Sequence, residues 1–586
     1  MRAFFAGALV FAALLYAAAE LTLDRPVDDG VIRLRWATDP NPARNLQVEI
    51  FGKCQVRLTD ADILDWRAFG ASLGRLAERL DPNAAEQVRT LASVVAEPGR
   101  RAGVLAGLNA LMDRRDLVPA ESLADLALSR DAKLLLERPR NQWSVVEVVA
   151  LNRRVVEALA AEAVRPAQRI EASVESGARE KLIVQCATGV GPDVIDVGSQ
   201  AQMSTLVGAG VLVDLTPLAS RGGFGVENTY PAIRNALQVE GKQYRYPCNV
   251  WANCVIYNRE ILRDHGLADP DPNWTYDDLA RIGKQIVSKP GRSGAKHLCV
   301  ANYNNIWMFD DFLVGHGGEY FTPDGLTCLL DSPEAVAALT LYHDLMHVHK
   351  IIPTPGESAA MSSQGGWGTG GINWFSTGRA AVIFIGRWYL CQAPNYPALR
   401  GKLGAVRLPR VPGRASAGAC DTRAAGINVT SPNRQAALKF LRYLATSDYG
   451  KVIVHDGDSL PPNPALARTG SDLVNSVAPD PAFHQPFIDA LRHARPFALS
   501  PFIDGAQVER WVRERLDKVE NKILAPPEAL EDLADEINRR IGRNIERRSD
   551  LQRKFRKVTG RDWTPDWRGD QARKTSHRAS GGPSTR

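Results

Sequence analysis

From Val31 the chain alternates apolar and polar positions through VIRLRWATD, the two-residue period of a half-buried strand. NPARNLQVEIFGK then opens a helix. Between Cys54 and about Leu151 the texture changes. ILDWRAFGASLGRLAERL, AAEQVRTLASVVAE, RRAGVLAGLNALMDRR, AESLADLALSRDAKLLLE and WSVVEVVALNRRVVEALAAEA repeat apolar residues every three and four positions, with breaks at Asp81-Pro82 and Glu97-Pro98-Gly99. This stretch reads as an all-helical segment of four or five helices whose Leu and Trp positions form its own core. Strand and helix patterns then alternate to about Val454. VIDV, CVIYN, AAVIFIG and GAVRLP read as strands, and NWTYDDLARIGKQIV, SPEAVAALTLYHDLMH and SPNRQAALKFLRYLAT as helices. Thr275 with Asp277 and Asp278 suits the start of one helix, and Ser431 with Pro432 the start of another. Such alternation predicts an α/β architecture with parallel sheets covered on both faces.

The run LIVQCATGVGPDVIDV places a glycine-rich turn between two apolar stretches. A phosphate-binding loop needs G-x-G-x-x-G leading into a helix, because the phosphate sits on free N–H groups there. Here Gly189 and Gly191 are followed by Pro192, which lacks an N–H, by the acidic Asp193, and by a β-branched strand. The turn is therefore expected to be a connector.

A chain of 586 residues suits two to four domains, and 45% apolar with 24% charged residues is a globular composition. Most of the excess in the net charge of +6 lies from Arg539 onward, leaving the body near neutral. Residues 548–586 are rich in Arg, Lys, Ser, Gly and Pro and are expected to form a basic disordered tail after a last helix ending near Arg547. At the other end, the apolar stretch from Phe4 to about Ala18, with Ala17-Ala18-Ala19, reads as a signal peptide over residues 1–19, with an uncleaved anchor as the alternative. Of eight cysteines, none forms C-x-x-C; Cys248 and Cys254 are the first pair to consider for a disulfide, against buried thiols as the other reading. His343, His347 and His349 include an i,i+4 pair at a zinc-compatible spacing, but without a following glutamate a solvated helix face is the expectation. His316-Gly317-Gly318 is unaccompanied by a G-x-S-x-G nucleophile turn, so hydrolase chemistry is not expected.

The order of motifs is more specific than any one of them. GVGPDVIDVG, LVGAGVLVDLTPL, GKQYRYPCNVWANCVIYNREIL, PDPNWTYDDL, FLVGHGGEYF, FSTGRAAVIFIGRWYL, AGINVTSPNRQAALKFLRYLATSDYGKVIV and DSLPPNPAL follow one another. The series resembles the extracellular solute-binding proteins of bacterial ABC sugar importers, the group that includes maltose-binding protein. The likeness covers about Val31 to Lys53 and Val156 to about Pro464. It implies a two-lobed fold of the periplasmic-binding-protein type II kind, with residues 54–150 as a helical insert in the first lobe. Lobe one would comprise 31–53, 151–249 and 384–427, and lobe two 254–380 and 430–545. Tyr246 to Trp251, FIGRW and AGINV would be the three crossings of a hinge, and the lobes would close on a solute.

The resemblance further implies an exported, periplasmic, non-enzymatic protein, with or without an N-terminal tether, that carries a carbohydrate to a membrane permease. No cofactor, metal or nucleic-acid partner is expected, and a monomer is. Pyranose rings stack their C–H faces on aromatics and bond their hydroxyls to amides and carboxylates. That chemistry selects Trp251 and Trp307 first, with Asn249, Asn304, Asn305, Ser199, Gln200 and Asp310 as polar partners and Trp367, Trp374 and Trp388 as further aromatic candidates. No Arg/Lys cluster accompanies them beyond Arg387 and Arg423 near the crossings, which disfavours a phosphorylated solute. The alternative is an envelope sensory or interaction protein that docks a partner through the helical segment.

Overall fold

The computed structural model describes residues 31–39, 41, 43–119, 122–123, 130–164, 169–176, 179–301, 305–361, 370–497 and 499–565. The expected signal peptide and the basic residues after 565 lie outside the described residues, as do Asn304 and Trp367. Among the described residues no helix is long and apolar enough to cross a membrane. The chain divides into two compact units, residues 1–36 with 44–175, and residues 37–43 with 176–586.

The first unit contains strands β1 (Val31–Thr38) and β2 (Arg169–Ser176) and helices α1 (Ala43–Val56), α2 (Trp66–Ala77), α3 (Pro82–Val94), α4 (Arg101–Leu111), α5 (Arg130–Leu136) and α6 (Val145–Leu159). Local chemistry sets the helix starts. The Asp65 carboxylate accepts from the N–H groups of Arg67 and Ala68, Asp81 does the same for Asn83 and Ala84 ahead of Pro82, and Ser144 forms a capping box with Glu147. Phe69, Leu73, Val88, Val104, Leu108, Val149 and Val155 meet in a core that extends from Val56 to Val164. The helical body is therefore shifted from the expected 54–150. Helix α1 runs through Cys54, and α6 continues to Leu159 because Val155 and Val156 are core residues.

In the second unit, strand β3 (Val194–Val197) follows helix α7 (Arg179–Ala187) through the glycine turn. Gly189 has φ +78°, and a Cβ on Gly191 would stand 2.7 Å from the Cys186 sulfur and 3.0 Å from Asn428 Nδ2. Asn428 Nδ2 donates to the Pro192 carbonyl, and the Asp193 carboxylate accepts from the Ser431 hydroxyl at 2.6 Å. Both glycines thus serve a tight, internally bonded connector. Ser431 is spent on Asp193, so helix α13 (Arg434–Leu444) starts later than expected, with Asn433 as its N-cap.

Further elements of this unit are β4 (Tyr246–Pro247), β5 (Trp251–Ala252), β6 (Cys254–Asn258), α8 (Gln200–Gly208), α9 (Arg259–Asp264), α10 (Tyr276–Ser288), β7 (Leu298–Ala301), α11 (Asn305–His316), α12 (Pro333–His347), β8 (Ala380–Ile385), β9 (Leu403–Val406), β10 (Cys420–Asp421) and β11 (Ala424–Ile427). Strand β11 lies between β3 and β4 and is antiparallel to both. A second sheet has the order β9-β6-β8-β7. Its faces alternate as the apolar runs require. Val255, Tyr257, Val382 and Phe384 enter one core, and Cys254, Ile256, Ile383 and Ile385 another. Only the β7–β8 pair of this sheet is parallel; β6 pairs antiparallel with β8 and β9. The expected parallel sheets are thus corrected: the second sheet is mixed and β11 runs antiparallel to both its neighbours, because β6 and β11 follow segments that pass from one sheet to the other and enter against their neighbours. The chain after β8 returns to the same sheet as β9, so FIGRW is not a crossing between the sheets and β9 does not belong with the 384–427 part expected for lobe one. Between the sheets, β5 and β10 form a short antiparallel ladder, Trp251 opposite Asp421.

None of the eight cysteines is joined in a disulfide. The Cys248 sulfur lies 3.6 Å from Asp196 while Cys254 points into the core of the second sheet, so the pair proposed from sequence does not form.

The C-terminal region departs from the expected tail. After α14 (Gly505–Glu520) and α15 (Pro526–Arg547), a helix α16 (Ser549–Thr559) follows, with Leu551 and Phe555 buried and Trp563 edge-on to Phe555 at 5.2 Å. Its many basic residues surround an i,i+4 apolar pair that docks on the same core as Ile541 and Ile545. Phe555→Ala is expected to cost about 3 kcal/mol of unfolding free energy, measured by guanidinium titration; a loss within error would show that α16 contributes no packing.

Candidate functional site

A cavity of about 200 Å³ lies in the second unit where β5, β10 and the helices α8, α11 and α14 converge. The sequence positions its walls by simple means. Strand β3 ends at Val197, and Ser199 caps α8 by accepting from Gln202 N–H, so Ser199 and Gln200 sit at the helix entry on one wall. The β5–β10 ladder presents Trp251 and Asp421. Helix α11 presents Trp307 and, one turn on, Asp310. Phe497 from the loop before α14 and Glu509 from α14 complete the lining with Tyr320.

Two aromatic groups give the cavity its apolar surface. Trp251 and Trp307 stack with ring centroids 5.4 Å apart at 30°, and Trp388 stands edge-on to Trp307 at 6.3 Å. A Cβ on Gly386 would meet the Trp388 ring at 2.7 Å, so the FIGRW glycine is what lets that indole approach. Tyr320 and Phe497 lie 4.6 Å apart as the second group.

Burial raises both of the cavity's aspartate carboxyls. Tyr320 donates its hydroxyl to Asp310 Oδ1 at 2.7 Å. Burial pushes the Asp310 carboxyl up to about 8 against that hydrogen bond, with neighbouring Asp311 and Glu509 adding to the rise. A neutral Asp310 can donate one hydrogen bond as well as accept others. Asp421 is also raised above the usual carboxylate range by burial, opposed by Arg245. Arg245, fully buried, reaches Asp421 at 3.0 Å, while the Gln200 and Thr422 N–H groups donate to the same carboxylate at 3.3 and 2.8 Å.

Behind the cavity, Asp311 is buried and accepts from Asn253 Nδ2 at 2.9 Å and Ala419 N–H at 3.0 Å, so α11 is bonded to both segments passing between the sheets. Arg423 contacts Asp196 at 2.5 Å and Asp458 at 3.5 Å.

Of the residues selected from sequence, Ser199, Gln200, Trp251, Trp307 and Asp310 line this cavity together. Trp388 joins them through Trp307. Asn249 does not: it is 5% exposed and spends its amide on Asp458 and on the Arg423 N–H. Trp374, 2% exposed, packs with Ile372, Phe375 and Ile383 in the core. Asn305 faces α14, with Nδ2 3.4 Å from Asp517. Tyr320, Asp421, Phe497 and Glu509 were not selected, although Tyr320 stands in the quoted HGGEYF motif and Phe497 in an aromatic, proline-rich break before α14. Among the described residues no group of three close metal-ligating side chains lines the cavity. His343 and His347 have ring centroids 4.8 Å apart on α12, and His347 Nε2 contacts the Glu520 carbonyl.

A family model described as bacterial extracellular solute-binding protein matches residues 158–451. The arabinooligosaccharide-binding protein of Halalkalibacterium halodurans is 27% identical over 271 residues, covering 46% of this chain and 57% of that protein. The diacetylchitobiose binding protein of Streptomyces coelicolor is 27% identical over 179 residues, covering 30% and 39% respectively. This chain thus spans about half the length of these curated relatives. An ABC substrate-binding protein of Listeria monocytogenes, solved with cycloalternan, superposes with a TM-score of 0.54 at 21% identity, covering 64% of this chain and 92% of that one. That likeness shows the α/β fold.

Asp310 supplies a test of the cavity's electrostatics. Its native carboxyl holds a proton up to about pH 8, whereas an unfolded aspartate loses it at about pH 3.9. Between those values the native state binds the extra proton, so this group makes stability fall as pH rises. Asp310→Asn is expected to gain on the wild type by up to roughly 1 kcal/mol per pH unit across that window. Guanidinium unfolding at acidic and mildly alkaline pH measures it; parallel pH profiles would refute the assignment.

Proposed function

The chain belongs to the bacterial extracellular solute-binding protein family, a family of binders and not of enzymes, and from that premise we propose that it captures a carbohydrate in the Trp251–Trp307 cavity. The observation that carries this reading is the pairing of stacked indoles with a hydrogen-bonded carboxyl set in one cavity. Indole faces suit the C–H face of a sugar ring. Asp310, as donor and acceptor, and Asp421, held by Arg245, suit its hydroxyls. The names of the arabinooligosaccharide- and diacetylchitobiose-binding relatives agree with a saccharide as the class of solute.

In this reading the unit built on β3, β4 and β11 and the one built on β6 to β9 act as the two lobes of a type II binding protein. The segments around Asn249 and Arg423 act as the hinge, and the helices between Val56 and Val164 are an insertion relative to the family's plan. Closure on the sugar would present the liganded form to the permease of an ABC importer, since a solute that contacts both lobes favours the closed state. The family implies action outside the cytoplasm; residence in the periplasm and export through residues 1–19 are part of the proposal.

The test is isothermal titration with arabino-, chito- and malto-oligosaccharides and their monosaccharides. One class is expected to bind, and Trp307→Ala to weaken it by at least roughly tenfold, about 1.4 kcal/mol. Absence of binding by every saccharide, or unchanged affinity in Trp307→Ala, would refute the reading.

A second reading, docking of an envelope partner through the helical segment, draws on the separate compactness of that unit and its own hydrophobic core. Removing residues 57–159 is expected to leave saccharide binding intact while abolishing uptake if the segment contacts a partner; unchanged uptake would dismiss it.

A further inference from the structure

Away from the cavity, α9 ends at Asp264, and the next residue, His265, closes its last turn by donating its N–H to the Ile261 and Leu262 carbonyls. The chain returns to this point through a tight turn before β7. Gly291 N–H donates to the Ala295 carbonyl, Gly294 has φ +81°, and the Arg292 N–H donates to the Asp264 carbonyl. His297 directly precedes β7. One donor atom each from Asp264, His265 and His297 lies within 4.8 Å of the others, and His265 Nε2 and His297 Nδ1 share a hydrogen bond at 3.1 Å, a proton-bridged pair that a metal ion would replace.

We propose that Asp264, His265 and His297 form a binding site for a divalent transition-metal ion of the zinc class. Zinc bonds of about 2.0–2.1 Å in tetrahedral geometry hold ligand atoms roughly 3.3 Å apart, close to the separation of the two imidazole nitrogens. The carboxylate is already oriented. Ser293 N–H donates to Asp264 Oδ1 at 2.7 Å and the Ser293 hydroxyl to Oδ2 at 2.8 Å, leaving each oxygen a further lone pair for a metal. Outer hydrogen bonds of this kind fix first ligands around bound metals. The turn also leaves room. A Cβ on Gly291 would stand 1.8 Å from Asp264 Oδ2 and 3.2 Å from His265 Nε2, so the absence of a side chain there keeps the carboxylate and the imidazole open to each other.

Donor chemistry selects the ion. Two imidazole nitrogens and one carboxylate oxygen suit zinc, nickel or copper, whereas magnesium and calcium prefer oxygen-only shells. Asp264 and His297 are half-buried and His265 is buried, so the site is reached from the solvent side, from which water would supply a fourth ligand. Coordination would clasp the 291–297 turn to the end of α9, a structural role separate from solute capture, since none of the three residues lines the cavity.

The test uses the full chain, stripped with EDTA and titrated with Zn²⁺ by calorimetry, with Co²⁺ absorption reporting the coordination geometry. One ion per chain is expected, together with a rise in melting temperature that EDTA reverses. His297→Gln is expected to abolish the cobalt spectrum, and Ser293→Ala to weaken zinc by roughly ten- to a hundredfold. His343→Gln, which alters the histidine pair on α12, is expected to leave binding unchanged. Circular dichroism verifies that each variant is folded. No zinc bound by the wild type, binding retained in folded His297→Gln, or loss in His343→Gln would each overturn the assignment.

Discussion

The guanidinium of Arg423 is the constraint on which the second unit is arranged. Its backbone N–H bonds the Asn249 side chain, its carbonyl accepts the Cys248 N–H at 2.7 Å, and its guanidinium lies between Asp196 and Asp458. Asn249 Nδ2 reaches Asp458 in turn, and Thr38 donates to Asp196. A buried charge of this kind is tolerated only when its partners are placed accurately, because removing either partner strands the other in a low-dielectric interior. The segments that cross between the sheets are thereby held in register. Trp251 lies two residues beyond Asn249, Asp421 two residues before Arg423, and Ser199 three residues beyond Asp196. The cavity walls inherit their spacing from this network.

The segment after β8, which leaves the second sheet and returns to it as β9, is fixed by another buried arginine. Arg387 is buried and divides its donors between the Ser459 and Leu473 carbonyls and His484 Nδ1. His484, held down to about 4 by burial and by the adjacent guanidinium, stays neutral and passes its other nitrogen to the Ala478 carbonyl. Trp388 follows Arg387 directly, so the position of this indole against Trp307 also rests on a buried arginine.

Local pattern made much of the architecture legible. VIDV, CVIYN, AAVIFI and GAV form strands within the runs that predicted them, and Thr275, with Asp278, caps its helix as a capping box. Strand direction was not legible, because pairing depends on where a chain re-enters a sheet and not on its own residues. At the site, Trp251, Trp307 and Asp310 could be selected because an aromatic or acid stands out within its own motif. Asp421 could not. Its partner Arg245 is 176 residues away, and nothing near Asp421 announces that pairing. Asn249 misled for the converse reason: its motif places it beside the cavity, but its amide is consumed by the crossing network. The charged surface of α16 likewise concealed Leu551 and Phe555, whose spacing carries the helix onto the core.

In the proposed binding mode a sugar ring lies against Trp251 and Trp307 with its hydroxyls on Asp310 and Asp421. A crystal structure of the chain grown with a saccharide that binds in solution tests it most directly. Density for the sugar is expected within this cavity, with an indole face of Trp251 or Trp307 against the ring and a hydroxyl within hydrogen-bond distance of Asp310 or Asp421. A sugar bound elsewhere, with these four residues unchanged and uncontacted, would contradict it.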